Sequence, residues 1–146
     1  MRVAVIGLGY IGLPTAALLG SKGVDVYGVD CNPSIVQRVS KGESHFDEAE
    51  LDDALMQALE NSRLTCSTNT PQADIYVVAV PTPLTTENTA DLSAVFAVCE
   101  EIAPVVQAGN LIILESTVPI GTTDQINERL TSCRPDLEFP KAGEDP

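Results

Sequence analysis

Three glycines carry the first chemical signal. Gly7, Gly9 and Gly12, in Gly7-Leu8-Gly9-Tyr10-Ile11-Gly12, follow the apolar run Val3-Ala4-Val5-Ile6. Between a strand and a helix, G-x-G-x-x-G is a pattern that suits a pyrophosphate. The first glycine permits a tight turn, the second lets backbone approach the phosphates, and the third lets the helix pack on the strand. The helix start adds free N–H groups and the positive end of its dipole. A second signal is Asp30, eighteen positions beyond Gly12, at the end of the apolar run 24–29. A carboxylate there is placed to accept from a ribose 2′-hydroxyl. Its bland alternative is a cap on the following turn. If it holds ribose, the acid favours NAD over NADP, because a 2′-phosphate would meet like charge. The next two residues, Cys31 and Asn32, supply no cation.

Two more loops carry hydroxyls on stiff supports. The apolar run 75–80 reads as a strand buried on both faces, and it delivers Val80-Pro81-Thr82-Pro83. The prolines hold the backbone extended and remove two donors, so Thr82 is presented on a rigid loop. Its hydroxyl suits a ribose or a phosphate; a plain rigid turn explains the same residues equally well. Residues 111–114 read as another strand, running into Glu115-Ser116-Thr117. Gly121-Thr122-Thr123 then opens a helix. Ser116 and Thr117 are candidates to line the nicotinamide side, against the bland reading of β-propensity at a strand end. Thr122 has capping-box spacing to Gln125. Thr123 follows at the helix start, where its hydroxyl and N–H can face an anion or cofactor.

The elements that must position these residues alternate throughout. Strand 2–6 leads to a helix over 11–22, with Pro14 near its first turn and Gly20 and Gly23 closing it. Strand 24–29 leads to a helix with Asn32 as N-cap, Pro33 at its first position and Gly42 at its end. A polar link over 43–47 precedes a helix over 48–60, with Leu51, Leu55 and Leu59 on one face. A short strand over 64–67 and the strand at 75–80 follow. Asp91 then caps a helix whose Leu92, Val95, Phe96, Cys99 and Ile102 share a face. The helix from Thr122 continues through Ile126 and Leu130 until Pro135 stops it. This alternation predicts a single α/β domain, a doubly wound parallel sheet of order 3-2-1-4-5. The ligand crevice is expected at the carboxyl ends of the first and fourth strands.

Bulk composition closes off other chemistries. The chain has 146 residues, 44% of them hydrophobic, enough for one real core and not for two. Net charge is −13, with only eight lysines and arginines, so neither nucleic acid nor an anionic membrane is an expected partner. No apolar run approaches the roughly 18 residues of a membrane span. A strand begins at once, with no basic leader or cleavage site, so no signal peptide is expected and the cytoplasm is the expected compartment. Cys31, Cys66, Cys99 and Cys133 show no CxxC spacing, and His45 is the single histidine, so no zinc set is expected. His45 reads as an exposed loop residue. The cysteines read as reduced thiols, with no neighbouring base or cation evident to activate any of them.

Three segments in this order carry a resemblance. Val5-Ile6-Gly7-Leu8-Gly9-Tyr10-Ile11-Gly12-Leu13-Pro14, the Val80-Pro81-Thr82-Pro83 loop, and Leu114-Glu115-Ser116-Thr117-Val118-Pro119-Ile120-Gly121-Thr122-Thr123 resemble the N-terminal domain of the UDP-glucose/GDP-mannose 6-dehydrogenase family. The segment 7–16 with Glu115-Ser116-Thr117 most resembles its UDP-N-acetylmannosamine dehydrogenase branch. The resemblance covers essentially the whole chain. It implies a Rossmann NAD-binding domain over 1–139, with 140–146 a polar tail ahead of the rest of an enzyme. The positions matching Tyr10, Ile11, Asp30, Thr82 and Thr123 contact NAD in that family. With Gly7, Gly9, Gly12, Pro81 and Ser116 they form the expected cofactor set. The match to Thr117 lies near the reacting centre and helps place a water.

The implied reaction is a two-step, NAD-dependent oxidation of a nucleotide-sugar C6 alcohol, through the aldehyde, to the carboxylate. In the family, a cysteine thiolate captures the aldehyde, hydride transfer from that adduct to NAD gives a thioester, and water hydrolyses the thioester. The catalytic Lys and Cys, a Pro-Glu-Arg segment, a dimer-forming central helix and a second nucleotide-like domain follow the part matched here. This chain is therefore expected to bind NAD without oxidising sugar, and the longer protein is expected to be a homo-oligomer whose missing half meets the nucleotide sugar. A reading of another class is an NAD-sensing regulatory Rossmann module, such as those that gate potassium transport. A third is a hydroxyacyl or phosphogluconate type of dehydrogenase. The loops at Pro81–Pro83 and Glu115–Thr123 speak against both.

Overall fold

Strands that alternate their apolar side chains between two faces need a layer of helices on each. The computed structural model, which describes residues 1–46 and 49–140, has that arrangement. The strands are β1 (Arg2–Ile6), β2 (Asp25–Val29), β3 (Leu64–Ser67), β4 (Ile75–Val78) and β5 (Leu111–Leu114). They pair in parallel in the expected order β3-β2-β1-β4-β5. Helices α1 (Gly12–Ser21), α2 (Pro33–Ser40), α3 (Ala49–Glu60), α4 (Ser93–Ile102) and α5 (Thr122–Cys133) complete the described elements. Val3, Val5 and Val77 turn to one face, against Leu13, Ala16 and Ala17 of α1 and Leu51 and Leu55 of α3. Their neighbours Ala4, Ile6, Tyr76 and Val78 turn to the other, against Val98 and Ile102 of α4. Val95 and Cys99 of α4 meet Ile126 and Leu130 of α5 in a smaller third cluster. No helix among the described residues is long and apolar enough to cross a membrane.

Most local expectations hold, with differences at the ends. Asn32 caps α2 by accepting from Ser34 N–H at 3.0 Å, with Pro33 as the first helical residue. The expected start of α3 at Glu48 and the tail over 141–146 lie outside the described residues, as does Asp47 of the polar link. β4 ends at Val78 rather than Val80, because the chain leaves the ladder there to pass over the glycine loop. Helix α4 begins at Ser93, and Leu92 in its cap position makes no side-chain cap bond. Asp91 still serves the helix start, its carboxylate accepting from Ser93 N–H at 2.9 Å. The bonds from Ser93 hold that carboxyl below the usual range. The capping box at Thr122 does not form. Gly121, at φ +87°, is the cap residue of α5, and the buried Thr122 hydroxyl donates to the Pro119 carbonyl at 2.8 Å. A donor engaged with the preceding turn anchors that turn instead of the helix.

The glycine loop is the tightest point of the fold. Gly7 adopts φ +94°, and a Cβ there would stand 2.6 Å from the Ala79 carbonyl oxygen. A Cβ on Gly12 would overlap the Gly7 carbonyl oxygen and press on the Ala79 methyl at 3.2 Å. The loop thus fits under the exit of β4 only without side chains at these two points. Gly9 differs, since a Cβ there would meet nothing within 4 Å. Gly12→Ala should therefore lower stability by about 3 kcal/mol, the upper end of what overpacking costs. Gly9→Ala should raise it by up to about 1 kcal/mol, because alanine lowers the entropy of the unfolded chain where the backbone is unstrained. Urea denaturation of the two variants beside wild type checks the contrast.

Candidate functional site

The crevice is built where the carboxyl ends of β1 and β4 diverge. Gly7 N–H donates to the Val29 carbonyl at 2.8 Å, carrying the β1–β2 ladder one residue past the strands. Leu8 then plunges into the core, and it can do so because β2 offers Gly28 beneath it. The Leu8 N–H donates to Asp30 Oδ2 at 2.9 Å, and Asn32 N–H donates to Asp30 Oδ1 at 2.8 Å. Asp30 therefore does cap the turn after β2, and it also pins the glycine loop to β2. Two of a carboxylate's roughly four acceptor positions are used this way, leaving others for hydroxyl donors. Ile11 stands in the cap position of α1 without a side-chain cap bond. Leu13 N–H is taken by the Gly9 carbonyl at 3.1 Å and Pro14 has no N–H, so among the described residues the Ile11 and Gly12 N–H groups are the ones left to an external acceptor.

These features fit a dinucleotide. Open space at Gly9 lets a phosphate come against backbone. The uncapped start of α1 offers donors and a positive dipole end. Asp30 presents a half-buried carboxylate at the expected distance in the chain from the loop. Tyr10 and Ile11 are exposed above it, 66% and 50% respectively.

The β4 and β5 loops are tied to one another. The Thr82 hydroxyl donates to the Thr117 carbonyl at 2.7 Å, and the Ser116 hydroxyl donates to the Val80 carbonyl at 2.7 Å. Glu115 and Ser116 N–H groups both donate to the Val78 carbonyl, at 2.9 and 3.2 Å. Across the crevice, Thr15 on α1 lies 3.5 Å from Glu115 Oε2. So Gly7, Gly9, Tyr10, Ile11, Gly12, Asp30, Pro81, Thr82, Ser116 and Thr117 come together at one end of the sheet. The Thr82 and Ser116 hydroxyls direct their protons into the protein and face a ligand only as acceptors. Thr123 is apart: no described contact joins it to that network. It lines an open groove of about 790 Å³ between the free edge of β5 and α5, with Ile112, Leu114, Ile126 and Leu130 among its walls.

Two contacts that shape this loop were not expected. One is Leu8 over Gly28. The other is Phe46, from the link before α3, whose ring meets Tyr10 edge to face at 5.5 Å and 88°. An aromatic residue inside an otherwise polar link was the available signal for the second. His45 is half-buried rather than exposed, with a buried Nδ1 that has no partner among the described residues. Phe46 draws it inward, the two rings being 4.1 Å apart.

Burial works against two of the four thiols. Burial pushes the Cys99 thiol up to about 11, against the lowering pull of Arg129, and its S–H donates to the Val95 carbonyl at 3.3 Å. A cation does stand near Cys99, which the sequence did not show, but burial outweighs it. Burial also raises Cys66, offset by a bond from Ser40. Cys31 and Cys133 are exposed. No group of three or more His, Cys, Asp or Glu among the described residues could hold a metal ion.

Comparison with known proteins gives one consistent set. Residues 1–141 match the UDP-glucose/GDP-mannose dehydrogenase family, NAD binding domain. A UDP-N-acetyl-D-mannosamine dehydrogenase of Salmonella typhi is 46% identical over 143 residues, 97% of this chain and 34% of that protein. An NDP-N-acetyl-D-galactosaminuronic acid dehydrogenase of Ralstonia nicotianae is 43% identical over 138 residues, 94% of this chain and 33% of that protein. The solved UDP-N-acetyl-mannosamine dehydrogenase of Staphylococcus aureus superposes with a TM-score of 0.89 at 32% identity, over 95% of this chain and 34% of its own. The chain thus spans about a third of the length of the curated relatives it matches.

The thiols give a direct test. In native protein, iodoacetamide should modify Cys31 and Cys133 and spare Cys66 and Cys99, as read by peptide mass spectrometry. A thiol whose folded pKa is raised keeps its full stabilising contribution below the unfolded value of 9.0 and loses it as pH climbs toward about 11. Wild type should therefore lose stability more steeply than Cys99→Ala between those two pH values, in denaturant melts at a series of pH.

Proposed function

The chain belongs to the UDP-glucose/GDP-mannose dehydrogenase family, as its NAD-binding domain, and from that premise we propose that it holds the cofactor for oxidation of a nucleotide-sugar C6 alcohol to the uronate. The proposed substrate is UDP-N-acetylmannosamine. Its support is that relatives named for N-acetylated nucleotide sugars match at 43 to 46% identity over nearly all of the chain. NAD, when bound, accepts a hydride in each of two successive oxidations. The longer protein is proposed to supply the nucleophile and the sugar pocket and to assemble as a homo-oligomer. The cytoplasm, where NAD and nucleotide sugars are pooled, is the compartment this reading requires.

The assignments within the chain are part of that proposal. Gly9 and the start of α1 take the pyrophosphate, with Gly7 and Gly12 making room for the turn. Asp30 accepts from the adenosine ribose. Tyr10, Ile11, Pro81, Thr82 and Ser116 line the cofactor, the two hydroxyls as acceptors. Thr123 would join them from the start of α5. Thr117, exposed beside Thr82, is proposed to help place a water at the reacting carbon. The boundary of the unit is proposed near residue 139, ahead of the rest of the longer protein.

The observation that carries this reading is the Asp30 carboxylate, fixed by Leu8 and Asn32 N–H groups beside an open Gly9. Calorimetric titration should show NAD binding more tightly than NADP, since the 2′-phosphate meets Asp30 without a cation. Asp30→Ala should weaken NAD by about 1–3 kcal/mol, the scale for a hydrogen bond to a charged group. Equal affinity for the two cofactors would refute the role of Asp30. Incubated with NAD and UDP-N-acetylmannosamine, the 146-residue chain alone should form no NADH, because the nucleophile is proposed to lie in the rest of the longer protein. A rise in absorbance at the NADH band above the enzyme-free control would contradict that.

A further inference from the structure

We propose that Phe46 is a positioning residue for the cofactor: it holds the Tyr10 ring in the one orientation from which that ring borders the dinucleotide. The proposal rests on the placement of NAD at the glycine loop. Tyr10 sits between Gly9 and Ile11 in the turn that carries the phosphate site, and its ring is 66% exposed. Exposed aromatic side chains ordinarily sample three staggered χ1 wells. Here the edge-to-face contact with Phe46, at 5.5 Å and 88°, is of the geometry that aromatic pairs prefer.

Phe46 is itself well held. It is half-buried and packs on the core cluster formed by α1, α3 and the inner strands. Its N–H donates to Ser44 Oγ at 3.0 Å, and Arg38 of α2 donates to the Ser44 carbonyl at 2.9 Å. Helix α2 and the link behind it therefore act as a bracket, with Phe46 as the end that touches the glycine loop. Without the bracket Tyr10 is free to leave its well. If one well in three is competent to bind, the apparent dissociation constant rises about threefold.

The experiment is NAD titration by calorimetry on the full 146-residue chain and its variants. Phe46→Ala should raise the dissociation constant about threefold, and Phe46→Tyr should restore it. In a Tyr10→Ala background, Phe46→Ala should add nothing. Side-chain NMR couplings of Tyr10 in NAD-free protein should change from a single rotamer to an average when Phe46 is truncated. Phe46→Leu, which keeps packing volume without an aromatic edge, gives the same readouts should the alanine variant not fold. Unchanged NAD affinity in the Phe46 variants overturns the proposal, provided Tyr10→Ala weakens binding. An equal loss in the Tyr10→Ala background also overturns it, because the effect would then pass through the fold. If Tyr10→Ala leaves affinity unchanged, the cofactor contact at Tyr10 falls and the role of Phe46 falls with it.

Discussion

Backbone passes against backbone where β1 turns into α1 under the exit of β4, and the rest of the site depends on that approach. Gly7 and Gly12 leave no room for a methyl group, the first against the Ala79 carbonyl and the second against Gly7 itself. The approach fixes three things together. It sets where α1 begins, and so where its dipole end and free N–H groups point. It draws β4 out of the ladder after Val78, so that Val80 and Pro81 come to the crevice. It also leaves Gly9 as the open position of the loop. Close packing of the first and third glycines is what makes the second accessible.

Asp30 then links this turn to the second strand. A carboxylate that accepted only from the turn after it would be a local cap and nothing more. Here its second oxygen takes the Leu8 N–H, a contact across 22 residues. That bond holds the acid close to the loop and keeps its remaining lone pairs directed over it. The structural and ligand-binding readings of Asp30 are therefore not alternatives. The same bonds that cap the turn hold the carboxylate where the proposed ribose contact needs it.

The fold was legible because its signals are local and periodic. Four apolar runs, a short strand at 64–67, the glycines that end helices, and Asn32-Pro33 at a helix start place the elements and their order without tertiary information. The errors lie where a side chain had a choice of partners. Thr122 has the spacing of a capping box, yet its hydroxyl turns back to Pro119, because Gly121 at positive φ already shapes the helix start. Thr82 and Ser116 look like free hydroxyls in the sequence, and in the fold both donate to the neighbouring loop. Phe46 and Leu8 act through contacts with Tyr10 and Gly28, across 36 and 20 positions, which no local pattern encodes.

Those loop ties bear on what the chain can do by itself. Leu8 to Asp30, Ser116 to Val80 and Thr82 to Thr117 all lie within the described residues, so the crevice is assembled by contacts internal to the domain. A crevice fixed before its ligand arrives avoids the ordering cost that binding would otherwise incur. Those internal ties support the proposal that the domain binds its cofactor by itself. The proposed chemistry is different, because there a thiolate captures the aldehyde, and burial moves Cys66 and Cys99 the opposite way. Separating the two tasks in space has a physical rationale. A rigid, hydrogen-bonded cradle suits a cofactor that must be held in one pose. A reactive thiolate needs a polar, accessible setting that such a cradle does not provide.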